Sequence, residues 1–152
     1  MPKENTLPLQ IISVIVILKC RNKFLLVQRK LDDEIFPGKW QNLGGKIELG
    51  ETAEAAIKRE MKEEVGLKVS DKPEFVASYN WKKDGNSPFR LGLIFLISLK
   101  GRPSGYKIRI NNELEGFNWF TFKEIKKMER KGLLIGKNHS LGTYGQIKNS
   151  IT

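Results

Sequence analysis

The chain has 152 residues, of which 39% are hydrophobic and 29% are charged, and its formal net charge is +10. This length and composition exclude a disordered or fibrous protein and predict a single globular domain over residues 1–152. Cys20 is the only cysteine, which excludes an internal disulfide. The longest apolar run is too short to cross a bilayer and the N-terminus lacks a signal-peptide pattern, so we expect a cytoplasmic protein.

The excess of basic residues favours an anionic partner, either a polyphosphate or a nucleic acid. The basic residues are scattered, with local clusters at Lys82-Lys83 and between Lys123 and Lys131. They are not interleaved with aromatic residues as in a nucleic-acid platform. We therefore expect a small anionic molecule and no membrane partner, while the charge leaves a nucleic-acid polymer open. The sequence also leaves open whether the chain is a monomer or a homodimer.

The first third of the chain predicts two strands and a long loop. Residues 1–8 are expected to form a loose arm. The β-branched run Ile11–Leu18 predicts a strand buried on both faces. Phe24–Arg29 predicts a second strand that forms a hairpin with the first. Residues 30–44, which carry Pro37, Gly38 and Gly44, predict a loop.

A short acidic helix follows this loop. Thr52 is a good N-cap, and Glu54 in the first turn suits the positive end of the helix dipole. Gly66 is expected to end the helix in a left-handed conformation.

The second half of the chain predicts three more strands and a second helix. Phe75–Trp81 and Phe89–Leu99 are strands joined by a turn at Asp84-Gly85-Asn86, and Asn118–Phe120 is a short strand. Thr121 and Glu124 form a capping box for a helix over residues 122–131. Grouped strands and single helices predict a mixed sheet with helices packed on it, of α/β or α+β class.

Three glutamates of the acidic helix share one side of it, because Glu60, Glu63 and Glu64 are spaced i, i+3 and i+4. Carboxylates this close repel one another and raise each other's pKa. A divalent cation such as Mg²⁺ relieves that repulsion because it prefers oxygen ligands. The alternative is a solvated acidic face whose glutamates pair with Arg59 or Lys62.

The stretch GKIELGETAEAAIKREMKEEVGL, which contains this helix, resembles the Nudix box of the Nudix (MutT-like) hydrolases. That box reads Gly, five residues, Glu, seven residues, Arg-Glu, an apolar residue, any residue, Glu-Glu, any residue, Gly and an apolar residue. The matching positions are Gly45, Glu51, Arg59, Glu60, Met61, Glu63, Glu64, Gly66 and Leu67. The resemblance implies an α/β/α sandwich around a mixed sheet.

The resemblance also implies hydrolysis of a nucleoside diphosphate linked to another group, with Mg²⁺ as cofactor and Mn²⁺ as its substitute. Breaking such an anhydride needs charge neutralisation and a positioned water. By the resemblance, Glu60, Glu63 and Glu64 are metal ligands, and the Gly45 carbonyl is a further candidate. Glu60 is also the candidate for activating water, while Arg59 and Glu51 orient the neighbouring glutamates.

Two further site residues are expected outside the box. Family members often carry an acid six residues before a Trp-aromatic pair on a late strand. Glu113 stands at that distance from Trp119-Phe120, and Glu115 is the alternative. Arg29 matches a common family arginine, which either contacts phosphate or is an exposed strand end.

The expected substrate is a small nucleotide, and the stretch KWQNLGGKIELGE resembles family members that act on nucleoside triphosphates. An oxidised purine such as 8-oxo-dGTP is the first candidate. The expected contacts are Asn42, Lys46 and a base-reading Asn138, with a helix-capping or turn asparagine as the alternative at position 138. Markers of ADP-ribose, dinucleoside polyphosphate and NADH enzymes are absent from the sequence. The alternatives are those substrates, an RNA 5′ end, or a nucleotide-binding module without turnover.

Overall fold

The computed structural model describes residues 9–135, so the predicted N-terminal arm lies outside the described part. The strands are β1 (Gln10–Cys20), β2 (Lys23–Arg29), β3 (Trp40–Gln41), β4 (Leu43–Lys46), β5 (Glu74–Lys82), β6 (Phe89–Leu99) and β7 (Leu114–Thr121). The helices are α1 (Ala53–Val65) and α2 (Phe122–Arg130), with a 3₁₀ turn at Pro103–Gly105. Neither helix in the described range is long and apolar enough to cross a membrane.

The strands form one mixed sheet, as predicted. β1 runs parallel to β6 along its whole length, from Gln10 opposite Phe89 to Cys20 opposite Leu99. β5 pairs antiparallel with β6, and β2 pairs antiparallel with β7. The long β1–β6 contact buries Val14, Val16, Ile17 and Leu18 at the centre of the sheet. Ile12 is 39% exposed, so the prediction of a strand buried on both faces is wrong at the start of the run.

The predicted hairpin between β1 and β2 is only two residue pairs long, Lys19 with Phe24 and Cys20 with Lys23. The first half of that edge of β1 pairs instead with β4, from Ser13 opposite Lys46 to Val16 opposite Leu43. The prediction of a continuous loop over residues 30–44 is therefore wrong at its end, where β3 and the start of β4 lie. Both strands are short and β4 contains two glycines, so they carry no alternating pattern in the sequence.

The two helices pack on opposite faces of the sheet, which confirms the α/β/α sandwich. Side chains of β2 alternate between the faces. Leu25 and Val27 join the core under α1, whereas Phe24 and Leu26 join the core under α2. Ile57 of α1 is 1% exposed within the first of these cores.

Both helices begin where their capping residues predict. The hydroxyl of Thr52 accepts a hydrogen bond from the Ala55 backbone N–H at 3.1 Å. Gly66 ends α1 with φ of 70°, a conformation that glycine adopts without strain. At α2, Thr121 and Glu124 form the reciprocal capping box. These caps fix where α1 starts and stops, and so fix which glutamates face the sheet.

Candidate active site

The glutamates of α1 line a groove of about 600 Å³ beside the sheet. Glu60, Glu63 and Glu64 form one wall, and Glu113 lies on the segment before β7. Arg29 at the end of β2 belongs to the same groove. The groove thus brings the three glutamates of α1 together with two site residues that were predicted from other parts of the sequence.

Glu64 is the most buried carboxyl group of this groove, at 8% exposure. Its Oε1 accepts a hydrogen bond from the Gly44 backbone N–H at 2.8 Å, which ties α1 to β4. The pKa of Glu64 is raised to about 8, chiefly by burial. The hydrogen bond from Gly44 lowers it, and the negative charges of Glu60, Glu113 and Glu63 contribute to the rise. A buried carboxyl group of this kind favours a cation beside it.

Glu60 lies against Gly45 of β4. A Cβ atom on Gly45 would clash with the Oε1 atom of Glu60, so any side chain at position 45 would require the Glu60 carboxylate to move. Burial raises the pKa of Glu60, although the ion pair with Arg59 opposes the shift. Gly45, which has no side chain, therefore leaves space for the Glu60 carboxylate.

Arg59 connects the carboxylates of the groove to the loop before α1. Its guanidinium donates two hydrogen bonds of 2.8 Å to Glu51, one of 2.8 Å to Glu60 and one of 3.3 Å to Glu63. It also donates to the Lys46 carbonyl at 2.9 Å. The hydrogen bonds from Arg59 lower the pKa of Glu51 to about 2. Such bidentate geometry fixes the guanidinium, and with it the position of Glu60.

The donor set of the groove suits a hard divalent cation, although the side chains are not gathered around one. Within residues 9–135, no group of three or more His, Cys, Asp or Glu side chains is already arranged to hold a metal. Glu60 and Glu63 are instead paired with Arg59. Mg²⁺ needs only one or two protein carboxylates because it keeps several waters. The groove contains four glutamates, and one of them, Glu64, is buried. This set of oxygen ligands fits Mg²⁺ by its chemistry.

The structure separates the two candidates for the additional acid. Glu113 lines the groove, whereas Glu115 is exposed on β7 outside it. The Asn111 N–H donates to the Glu64 carbonyl at 3.2 Å, and the Asn111 side chain accepts from the Glu113 N–H at 3.0 Å. The end of α1 thus positions the segment that carries Glu113.

Arg29 is a fixed part of the groove and not an exposed strand end. Its guanidinium donates to Asp33 at 2.9 Å, to the Ile35 carbonyl at 2.8 Å and to the Gln41 side chain at 3.4 Å. These bonds hold the loop between β2 and β3 against the groove.

Three expected substrate contacts are not brought into the groove. Lys46 is exposed and its side chain does not line the groove, because side chains alternate along β4 and Gly45 faces Glu60. Asn42 is buried beside a separate cavity of about 160 Å³ that shares Gln41 and Gly44 with the groove. Asn138 lies outside the described residues.

Sequence reasoning missed five polar residues of the groove, which are Lys30, Asp32, Asp33, Gln41 and Asn111. The position of Lys30, Asp32 and Asp33 shortly after β2 is the one available signal, because polar residues at strand ends often reach a site beside the sheet. Gln41 and Asn111 carry no such signal.

Comparison with known proteins finds similarity in both sequence and fold. The NUDIX domain model matches residues 9–136. The human NAD(P)H pyrophosphatase NUDT13 is 36% identical over 101 residues, and the match spans 64% of this chain but only 27% of that protein. The nucleoside triphosphatase NudI of Enterobacter is 27% identical, with 74% of this chain and 83% of NudI covered. In fold, the NUDIX domain of Shewanella oneidensis NrtR, solved with ADP-ribose, matches with a TM-score of 0.74 at 18% identity, covering 100% of this chain and 94% of that one.

Proposed function

The chain belongs to the NUDIX domain family, and from this premise we propose that it is a Mg²⁺-dependent hydrolase of a nucleoside triphosphate. The reaction releases the nucleoside monophosphate and pyrophosphate by breaking one phosphoric anhydride bond. An oxidised purine such as 8-oxo-dGTP is the first candidate substrate, on the KWQNLGGKIELGE stretch.

One observation carries the proposal: the glutamates of α1 share a groove with Glu113 and with the cations Arg29 and Lys30. Phosphate oxygens and glutamates are both negative, so a triphosphate enters such a groove only if cations offset the repulsion. Mg²⁺, when bound, supplies that neutralisation and lowers the pKa of a nearby water. Glu63, Glu64, Glu113 and the Gly45 carbonyl are the groups that would hold it.

Glu60 is the proposed acceptor of the proton from the attacking water. Its pKa is raised by burial, and a base whose pKa is closer to neutral accepts a proton more readily. Arg59, held by Glu51, keeps the Glu60 carboxylate turned toward the groove. Arg29 and Lys30, which line the same groove, are the proposed contacts for phosphate oxygens.

The relatives support two substrate classes. NudI, whose printed name is nucleoside triphosphatase, is matched over most of its length, which favours a triphosphate. NUDT13 has the higher identity, but this chain spans about a quarter of it, so its dinucleotide substrate is the second candidate.

A screen that separates the nucleotide products by chromatography, over nucleoside triphosphates, 8-oxo-dGTP, ADP-ribose, NADH, dinucleoside polyphosphates and capped RNA, tests the proposal. We expect the highest kcat/KM with a triphosphate. If a dinucleotide or ADP-ribose exceeds every triphosphate by tenfold, which is about 1.4 kcal/mol in transition-state binding, the substrate is wrong. Nucleotide binding without turnover of any compound would show a binding module instead of an enzyme.

A further inference from the structure

We propose that a basic surface, at the opposite end of β2 from the glutamate groove, binds the phosphate backbone of single-stranded nucleic acid. The surface comprises the turn between β1 and β2, the loop after β6 and the first turn of α2. Its cations are Lys19, Arg21, Lys23, Lys100, Arg102 and Lys123. The seven residues of β2 run from the basic surface to the groove, so the two lie roughly 20 Å apart.

The charge of the basic surface is not offset by carboxylates. Residues 19–24 hold three cations and residues 100–106 hold two, and neither segment contains an acid. In the part of the chain that the structure describes, Arg21 and Lys123 form no salt bridge. The acid in the first turn of α2 is Glu124, whose carboxylate is already engaged in the capping box. The basic surface is therefore strongly positive and attracts phosphate groups.

Arg21 joins the turn between β1 and β2 to the loop after β6. Its Nε atom donates a hydrogen bond to the Gly101 carbonyl at 3.0 Å, and the Cys20 thiol donates to the same oxygen at 3.6 Å. Gly101 lies between Lys100 and Arg102 in the chain. The bond from Arg21 therefore gathers cations from two distant segments at one place.

The start of α2 completes the basic surface. Lys23 lies opposite Thr121, the N-cap residue of α2, in the β2–β7 register. A cavity of about 490 Å³ adjoins Thr121, and Lys19, Arg21 and Lys123 are among the residues that line it. Three like charges around one cavity repel one another, and an anion bound between them relieves that repulsion. Cations that are scattered in the sequence are thus gathered by the fold.

Two features favour a nucleic acid over a membrane surface as the partner. Within residues 9–135, the exposed large hydrophobic side chains all lie outside the basic surface, so insertion between lipids has no anchor there. Phe122, a half-buried ring at the start of α2, lines the cavity beside the cations, and the Lys126 Nζ atom is 5.7 Å from its centroid. Single-stranded nucleic acids stack their bases on aromatic rings in positively charged grooves, whatever the sequence.

Arg21 offers a substitution that separates binding from folding. Its φ is 57°, in the left-handed region that glycine adopts without strain and arginine adopts at a cost. Residues held in such conformations cluster at functional sites. Arg21→Gly should therefore keep the turn between β1 and β2 while it removes one cation from the basic surface.

The test measures binding of a labelled oligouridine of about twelve nucleotides with a 5′-hydroxyl end, by fluorescence anisotropy in EDTA at several salt concentrations. For the wild type we expect a Kd on the order of 10⁻⁵ M at physiological salt. In the Arg21→Gly/Lys123→Gln double variant we expect the Kd to rise at least about tenfold. The slope of log K against log salt concentration should also shrink by about 1.4, because each phosphate contact to a single strand contributes about 0.7.

The double variant Lys58→Gln/Lys62→Gln is the matched control. It removes the same two charges from exposed positions of α1, which packs on the other face of the sheet from α2. This control should keep most of the wild-type affinity. An equal loss in the control would show that net charge alone governs binding, and would overturn the proposal, as would a wild-type protein that does not bind oligouridine at low salt. If the test variant melts below the wild type, Lys123→Gln alone, at an exposed position, gives the same comparison.

The result does not depend on the proposed function. Glu60→Gln alters the groove and not the basic surface, so this variant should bind oligouridine as the wild type does. If no nucleotide is hydrolysed but binding depends on Arg21 and Lys123, the proposed function is wrong and the basic surface stands. Vesicles that contain phosphatidylserine test the other partner. Binding to them with the same dependence, and none to oligouridine, would assign the surface to a membrane and overturn the proposal.

Discussion

Gly45 of β4 and Glu60 of α1 lie so close that a methyl group on Gly45 would clash with the Oε1 atom of Glu60. Gly45 pairs with Val14 in the β1–β4 ladder, so its backbone cannot move away without disturbing the central strand of the sheet. The glutamate would have to yield instead. The glycine at this position therefore determines where the Glu60 carboxylate lies.

Gly45→Ala is expected to lower turnover much more than stability. The added methyl group displaces Glu60 from β4, and a displacement of about 1 Å can cost about a hundredfold in rate. Gly105→Ala is the matched control, because a Cβ atom there meets nothing within 4 Å. The measurement is kcat for both variants beside thermal melting. Wild-type turnover in a folded Gly45→Ala protein would show that the position of Glu60 is not critical.

The burial of Glu64 gives the metal-free protein a specific pH dependence. Its pKa is about 8 in the folded chain against 4.5 for an ordinary glutamate, so the folded state binds more protons between these values. The free energy of unfolding therefore falls as pH rises from about 4.5 to about 8 and changes no further above that.

Glu64→Gln removes this dependence while keeping an acceptor for the Gly44 N–H. We expect the variant to match the wild type near pH 4 and to be more stable by a few kcal/mol at pH 8 in EDTA. Urea unfolding midpoints at a series of pH values measure this. Parallel pH profiles for the two proteins would mean that Glu64 is ionised in the fold without penalty.

Ile57→Ala tests the apolar side of the same helix. Ile57 is 1% exposed in the core under α1, so its truncation leaves a cavity and is expected to cost about 2–5 kcal/mol of stability. Turnover per folded molecule should be largely kept, because Ile57 does not line the groove. Denaturant unfolding and a rate assay on the same sample give both quantities. A stable variant with lost turnover would place Ile57 in the active site and not in the core.

The helices and the glutamate cluster could be predicted because their signals are local. Thr52 and Gly66 mark the ends of α1 by their own chemistry, and the i, i+3, i+4 spacing fixes Glu60, Glu63 and Glu64 on one side of it. Glu113 could be proposed from spacing alone, although only the contact between Asn111 and Glu64 shows why it lies in the groove.

The rest depends on contacts between distant parts of the chain. The pairing of β4 with β1 replaces most of the predicted hairpin, and neither strand's sequence specifies that choice. Lys46, which we expected to contact substrate, lies outside the groove for the same reason. The strand assignment decides which of Gly45 and Lys46 faces α1. The register of β5 with β6 places Trp81 opposite Arg90, and the turn between these strands does not fix that register by itself.

Mg²⁺ is expected to stabilise the protein as well as to support turnover. A ligand that binds only the folded state at a hundred times its dissociation constant adds about 2.7 kcal/mol. The melting temperature should therefore rise with Mg²⁺ concentration, and EDTA should reverse the rise and abolish turnover. Glu63→Gln should weaken the response, whereas Glu115→Gln, on the exposed face of β7, should not. Undiminished turnover in excess EDTA would contradict the metal assignment.

The turnover of Glu60→Gln most directly tests the claim that the carboxylates of this groove perform hydrolysis. The substitution keeps the shape of the side chain and removes a carboxyl group whose ionised form is disfavoured by burial. The free energy of unfolding of the metal-free protein should therefore stay within about 0.5 kcal/mol of the wild type or rise. The account predicts that kcat for the best triphosphate falls at least a hundredfold, the scale on which one positioned acid–base group contributes. A Glu60→Gln protein that melts far below the wild type yet keeps its rate would show that Glu60 and Arg59 form a structural ion pair, and would contradict the account.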